Sequence, residues 1–121
     1  MILLDSNIII YGVQQGYQAL RDYLSEQSIA ISKITLLEVL GYHALGDEEK
    51  SRLEEILNKC HQIAIDDVII FQAITLRQQK KMSLGDALIA ATALNHQILL
   101  VTANDKDYKW IAELQLYNPI H

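Results

Sequence analysis

Short apolar runs alternate along this chain with longer segments of helical periodicity. Four runs have the length of strands, and a fifth candidate precedes the single proline. They lie at residues 1–4, 29–31, 62–65, 97–101 and 116–118. The first run does not alternate with polar residues, so we expect it to be covered on both faces of a sheet.

Helical patterns occupy the segments between these runs. Gly46 is expected to end the second of them, which is largely apolar, and Asp47 to cap the third, which is charged. Asp66 or Asp67 caps the fourth and Ser83 starts the fifth. The patterns cover about residues 17–27, 34–45, 47–59, 66–81 and 83–95, with a short helix from about residue 104.

Strands that alternate with helices predict an α/β protein with a parallel sheet. We expect a three-layer α/β/α sandwich whose central parallel sheet has four to five strands. A length of 121 residues fits one domain, residues 1–121, without repeats or linkers.

Composition narrows the class of protein only slightly. No apolar run approaches the ~20 residues of a membrane span, and Asp5 and Asn7 interrupt the first run, so neither a membrane span nor a signal peptide is expected. Cys60 is the single cysteine, which excludes a disulfide framework and fits a cytoplasmic protein. The net charge of −5 argues against a surface for tight, non-specific nucleic-acid binding, but it does not exclude a nucleic-acid enzyme.

Several carboxylates stand beside apolar segments, where an uncompensated charge is costly. Asp5 closes the first run, Glu38 interrupts an apolar helix, Asp86 opens another, and Asp105 and Asp107 follow the fourth strand. In a parallel α/β sheet the strand ends and the starts of the returning helices lie at one edge, where ligands also bind. The sequence therefore predicts that these acids share the carboxyl edge of the sheet.

Helix capping is the alternative explanation for each acid taken alone. Thr35 and Glu38, and likewise Ser83 and Asp86, have the spacing of a capping box. Asn104 is a natural N-cap before Asp107, and Asp5 or Ser6 could cap a short helix. Capping does not explain why the helix around Glu38 has hardly any polar neighbours, so we favour a shared site.

The chain resembles PIN-domain proteins, and among them the VapC-type toxin ribonucleases of type II toxin–antitoxin systems. The matching segments begin with Leu4-Asp5-Ser6-Asn7 and continue at residues 32–38, 84–93 and 100–108. The likeness runs from Met1 nearly to Pro119, in the order and spacing of the family. Each segment alone is weak evidence, whereas the four together are specific.

The resemblance implies an acidic pocket that binds Mg²⁺ or Mn²⁺. Asp5, Glu38 and Asp86 match its first three acids. The fourth acid falls at Asp107, which follows a Thr-x-Asn step and precedes an aromatic residue. Some members instead carry the acid at the position of Asn104, and Asp105 occupies a usually variable position. The resemblance also implies a homodimer and a protein antitoxin of the VapB type.

These residues lead to a hypothesis of metal-assisted hydrolysis of RNA phosphodiester bonds. Asp5 and Asp86 would be the primary metal ligands, and the cation would lower the pKa of the attacking water and stabilise charge on the phosphate. Glu38 and Asp107 would hold a second ion or orient the water.

Neighbouring polar side chains are candidates for supporting roles. We expect Ser6, Asn7 and Thr35 to hydrogen-bond to the carboxylates or to water, and Asn104 to be a neutral residue of the pocket. A second group is basic and could contact RNA phosphates, although positive charge at a helix end is also common without any such role. It comprises Arg77, Lys80 and Lys81.

Two other classes of function remain open at this point. One is a phosphohydrolase or phosphoryl-acceptor domain that uses Asp5, although Asn7 stands where the dehalogenase-type pattern has a second acid. The other is a catalytically inert PIN-like binding module, which the retention of all the acids disfavours.

Overall fold

The computed structural model of the chain describes residues 1–120, so His121, the last residue of the predicted domain, lies outside the described residues. Five short strands and six α-helices alternate along it, with one 3-10 helix near the end. The strands are β1 Ile2–Leu4, β2 Ile29–Ser32, β3 His61–Ile63, β4 Leu99–Val101 and β5 Leu116–Tyr117. The helices are α1 Ser6–Gly12, α2 Gln18–Ser25, α3 Lys33–Leu40, α4 Asp47–Asn58, α5 Asp67–Gln79 and α6 Leu84–His96, and the 3-10 helix is Asp105–Asp107.

All strand pairs are parallel, and the sheet has the order β3-β2-β1-β4-β5. β1 is central, with Leu4 paired to Val101 of β4 and Leu3 paired to Ala30 of β2. The predicted α/β fold with a parallel sheet is confirmed. No helix within residues 1–120 combines the length and the apolar character that crossing a membrane requires.

Two hydrophobic clusters cover the two faces of the sheet. Leu3 of β1 packs into the cluster formed by α5 and α6, whereas Ile2 and Leu4 pack into the cluster formed by α1 to α4. Every residue of β1 is buried, as its apolar run predicts. The side chains therefore alternate between the two layers of a sandwich.

Two predicted helix boundaries are wrong. α3 ends at Leu40, five residues early, because Gly41 already forms its C-cap, with its N–H bound to the Leu37 carbonyl at 3.0 Å. Gly46 is the N-cap of α4 and Asp47 is its first helical residue. Asp47 still stabilises the helix start, since a negative charge there opposes the positive end of the helix dipole.

The start of α6 is well specified by its sequence. Ser83 Oγ accepts a hydrogen bond from the Asp86 N–H at 3.1 Å, as the capping spacing predicts. The helix ends at His96, and its C-cap is Gln97, a non-glycine residue in the left-handed region with φ of 54°. α6 thus begins at the carboxyl edge of the sheet and returns to β4.

Candidate active site

The Asp5 carboxylate is buried directly after β1, with 5% of its surface exposed. Its Oδ1 accepts a hydrogen bond from the Ser6 N–H at 2.8 Å, which makes Asp5 the N-cap of α1. Its Oδ2 accepts one from Thr102 Oγ1 at 2.8 Å and lies 3.1 Å from the Tyr108 hydroxyl. Asp5 is therefore both a helix cap and a member of the site, so the two explanations are not exclusive.

Asp86 meets Asp5 through the side chain of Tyr108. The Tyr108 hydroxyl oxygen lies 3.0 Å from Asp86 Oδ1 and 3.1 Å from Asp5 Oδ2. A hydroxyl has one proton, so it donates to one carboxylate while its oxygen faces the other. The second approach of oxygens is repulsive unless a proton or a cation compensates it. A proton or a bound cation between Asp5 and Asp86 would therefore stabilise this arrangement.

Burial raises the pKa of Asp5 above its usual value, and the nearby charge of Asp86 raises it further. Hydrogen bonds from Thr102, Tyr108 and Ser6 lower the pKa of Asp5 but do not cancel the effect of burial. Burial and the same two carboxylates also raise the pKa of the Tyr108 hydroxyl, so it keeps its proton.

Glu38 reaches this edge of the sheet from the second turn of α3. Ser6 Oγ donates a hydrogen bond to Glu38 Oε1 at 2.7 Å. On its other side the carboxylate lies against Gly85, where a Cβ atom would overlap Glu38 Oε2. Ser6 and Gly85 are the chain neighbours of Asp5 and Asp86, so the exposed Glu38 side chain stands between the segments that carry the other two acids.

The three candidates for a fourth acid differ in their surroundings. Asp107 lines an open cavity of about 600 Å³ together with Asp86. Asp105 instead accepts a hydrogen bond from Asn118 Nδ2 at 3.1 Å and forms an ion pair with Lys109 at 3.2 Å, and these contacts lower its pKa.

Asn104 contacts the site through its backbone. Its N–H donates to Thr102 Oγ1 at 3.0 Å, while its side chain makes no capping hydrogen bond to the 3-10 helix. Asn104 therefore occupies the predicted N-cap position of the 3-10 helix, but its side chain does not cap the helix. Asp107 remains the prediction for the fourth acid.

The other predicted supporting residues are only partly in contact with the acids. Thr35 is buried and lies 3.4 Å from Ser6 Oγ, so it reaches Glu38 through a second hydroxyl. Asn7 Oδ1 accepts a hydrogen bond from the Ala103 N–H at 3.2 Å and ties α1 to the segment after β4. The Asn7 side-chain oxygen therefore hydrogen-bonds to the backbone and not to a carboxylate.

A cluster of basic side chains, here called the basic rim, lines the same cavity as Asp86 and Asp107. Arg77 Nε is bound to the Met82 carbonyl at 3.1 Å, which holds the α5–α6 connection. Lys80 Nζ lies 5.8 Å from the centre of the Trp110 ring. The basic rim consists of Arg77, Lys80, Lys81 and Lys106.

Four residues of this arrangement were not singled out from the sequence. Thr102 is the threonine of the Thr-x-Asn step and directly follows β4 as Asp5 directly follows β1, so two signals for it were available. Tyr108 and Gly85 lie inside the segments that carry the resemblance, but their roles depend on contacts between segments. Lys106 stands between Asp105 and Asp107 and had no distinguishing pattern.

The expected cluster of four acids does not form a ready-made metal cage. Within residues 1–120, no group of three or more His, Cys, Asp or Glu side chains lies close enough together to hold an ion. Mg²⁺, however, is commonly held by one or two carboxylates with retained water and substrate phosphate. The uncompensated approach of Asp5 and Asp86 to one hydroxyl fits such a cation.

Comparison with known proteins agrees with the fold and with the resemblance. The PIN domain family matches residues 2–114. Ribonuclease VapC2 of Rickettsia felis is 30% identical in an alignment of 128 positions that covers 96% of each chain. Both matches span almost the whole of the chain.

Two solved structures have the same fold over their full lengths. A toxin–antitoxin complex from Klebsiella pneumoniae contains a chain that is 31% identical, with a TM-score of 0.80 and coverage of 100% of this chain and 99% of that one. VapBC2 from Rickettsia felis, bound to a promoter DNA fragment, contains one that is 27% identical, with a TM-score of 0.86 and 98% of both chains covered. The chain therefore belongs to the PIN-domain family, in its group of VapC-type toxins.

Proposed function

We propose that this protein is a ribonuclease that hydrolyses RNA phosphodiester bonds with Mg²⁺ or Mn²⁺, as the toxin of a toxin–antitoxin pair. The observation that carries the proposal is the meeting of Asp5 and Asp86 at one hydroxyl, at the ligand-binding edge of the sheet. A relative named ribonuclease VapC2 supports the choice of RNA. A single cysteine supports action in the reducing cytoplasm.

In this mechanism Asp5 and Asp86 would hold the divalent cation. When bound, the cation lowers the pKa of the attacking water and offsets negative charge that develops on the phosphate. Thr102 and the Ser6 N–H keep the Asp5 carboxylate oriented. Glu38 accepts a proton from water or orients it.

The remaining residues act on the substrate side of the site. Asp107 lines the cavity that the basic rim also lines, so it would orient water or hold a second ion beside the RNA phosphates. Lysine and arginine side chains at this position contact the phosphates and give affinity without reading the base sequence.

RNA cleavage by purified Asp5→Asn and Asp86→Asn variants tests the assignment. Both variants should lose the cleavage that Mg²⁺ or Mn²⁺ supports, while thermal unfolding remains cooperative. Asp47→Asn, which removes an exposed acid of α4, is the matched control and should cut RNA at the parental rate. If both site variants cleave as fast as the parent, the assignment is wrong.

An antitoxin of the VapB type is the proposed protein partner, since the related chains were crystallised in toxin–antitoxin complexes. A groove of about 470 Å³ between α1, α3 and α4 runs beside Glu38 and is mostly apolar. It suits an antitoxin segment that buries apolar side chains and extends a basic one toward the acids. Adding the product of a neighbouring antitoxin gene should weaken Mn²⁺ binding, and an unchanged affinity would contradict this mode of inhibition.

A homodimer is the proposed assembly. The first part of α5 is mostly apolar, and Val68, Phe71 and Ile74 are exposed on it. A helix of this kind is usually buried, which suits contact with a second copy of the chain. Sedimentation should give a dimer for the parent and a monomer for Phe71→Glu, whereas a variant that remains dimeric would exclude this face.

An inert binding module is the second candidate, because the acidic side chains within residues 1–120 do not form a complete set of metal ligands. Calorimetry separates the two functions: heat of binding with Mn²⁺ supports the nuclease, and no binding at millimolar Mn²⁺ supports the inert module. A phosphoryl-acceptor role for Asp5 is disfavoured, since the side chain is buried and both of its oxygens accept hydrogen bonds.

A further inference from the structure

The Tyr108 hydroxyl is the hydrogen-bonding partner of the Asp86 carboxylate. Within residues 1–120 no other donor reaches this carboxylate, since Ser83 Oγ accepts its hydrogen bond from the Asp86 backbone N–H. Asp86 is only half-buried, at the start of α6. Without the hydroxyl, its side chain would be free to turn toward solvent.

The position of this hydroxyl is set by the hydrophobic core. The Tyr108 side chain is fully buried and packs in the cluster of α5 and α6. Its N–H is bound to the Asp105 carbonyl and its carbonyl accepts from the Ile111 N–H, both at 3.0 Å. A hydroxyl on a packed ring, whose backbone is held by hydrogen bonds, has less positional freedom than one on a mobile loop.

Asp5 depends on this hydroxyl less than Asp86 does. The Ser6 N–H and Thr102 Oγ1 still bind Asp5 when Tyr108 contributes nothing. Removal of the hydroxyl should therefore act on Asp86 and on its placement beside Asp5. Phenylalanine fills the same space as tyrosine without the oxygen, so the core stays packed.

We propose that Tyr108 is a positioning residue, whose hydroxyl holds the Asp86 carboxylate beside Asp5 so that both ligands are oriented before a divalent cation binds. This inference rests on the proposed function only for the cation. Partners that orient metal ligands typically change metal affinity by about 10- to 100-fold when they are removed.

Calorimetric titration of Mn²⁺ into the full-length Tyr108→Phe variant tests this role. The Kd for Mn²⁺ should rise about tenfold or more. RNA cleavage should fall at limiting Mn²⁺ and recover as Mn²⁺ is raised, with an unchanged KM for RNA. Tyr23→Phe removes a tyrosine hydroxyl from α2 and should leave the Mn²⁺ affinity at the parental value.

Three results would overturn the proposal. They are a parental Kd for Mn²⁺ in Tyr108→Phe, no Mn²⁺ binding by the parent, and an unfolding temperature of Tyr108→Phe more than about 5 °C below that of the parent. The last would give the hydroxyl a structural role. A parent that binds Mn²⁺ without cutting RNA would end the proposed nuclease function alone, because the comparison of Kd values does not depend on cleavage.

Discussion

The carboxylate of Glu38 lies against Gly85, in the space that a Cβ atom would occupy in any other residue. Gly85 directly precedes Asp86 in the first turn of α6, so its missing side chain allows two acids from different helices to approach each other. A helical glycine normally costs up to about 1 kcal/mol relative to alanine. At this position the absence of a side chain leaves the space that the Glu38 carboxylate occupies.

Replacement of Gly85 by alanine should therefore damage the site more than the fold. The new methyl group displaces the Glu38 carboxylate, while the higher helix propensity of alanine offsets part of the strain. We expect Mn²⁺-dependent RNA cleavage to fall about tenfold or more, as for other changes in ligand surroundings. Gly12→Ala is the control, since a Cβ there meets only Leu24 at 4.0 Å. Equal activity of the two variants would contradict the role of Gly85.

The stability of the metal-free protein should depend on the ionisation of Asp5. Burial raises its folded-state pKa above the unfolded value, so the native state loses stability as pH rises from about 4 through the raised pKa. Asp5→Asn in EDTA should thus unfold a few degrees higher than the parent at pH 7, and the difference should vanish below about pH 4. Calorimetric scans across pH measure this. A difference in unfolding temperature that is the same at both pH values would exclude the ionisation of Asp5 as its cause.

Thr102 is expected to stabilise the protein through its hydroxyl. Its Oγ1 donates to Asp5 and accepts from the Asn104 N–H, and the side chain is fully buried. Thr102→Val removes one of the hydrogen bonds to Asp5 and the acceptor of the Asn104 N–H, which should cost about 1–3 kcal/mol in urea unfolding. Thr75→Val, on the exposed side of α5, should change stability by about 0.5 kcal/mol or less. Equal losses in the two variants would show that the Thr102 hydroxyl has no special role.

The basic rim should affect RNA binding and not the chemical step. Lys106→Ala removes a positive charge from the cavity of Asp86 and Asp107, so KM for RNA should rise and the salt dependence of binding should weaken, with kcat unchanged. Lys50→Ala on α4 removes an exposed lysine that does not line this cavity. The rim would lose its proposed role if both variants had the same KM and the same salt dependence.

Local patterns in the sequence were sufficient to predict the fold. Apolar runs and helical periodicity depend on near neighbours in the chain, and parallel strands joined by helices bring strand ends to one edge. The boundary of α3 was predicted wrongly because both Gly41 and Gly46 are plausible helix stops. Gly41 ends the helix, and the helical periodicity that continues beyond it does not correspond to a helix.

The proximity of Asp5, Glu38 and Asp86 was likewise expected from topology, but their contacts were not. Tyr108 and Asp5 are separated by 103 positions in the chain, and their 3.1 Å approach depends on how the Tyr108 ring packs in the cluster of α5 and α6. Such distances are set by the packing of side chains to within about an ångström. The rules that place strand ends and helix starts at one edge of a sheet do not give this precision.

The sequence by itself determined which acids reach the carboxyl edge, because strand ends and helix starts assign them there whatever their partners. Only the tertiary structure decided what each acid does at that edge. Asp105 and Asp107 differ by two positions, yet the tight turn of the 3-10 helix directs one to Lys109 and Asn118 and leaves the other in the cavity with Asp86. The surroundings of the two side chains differ because the backbone turns between them, and the direction of this turn depends on packing against the rest of the chain.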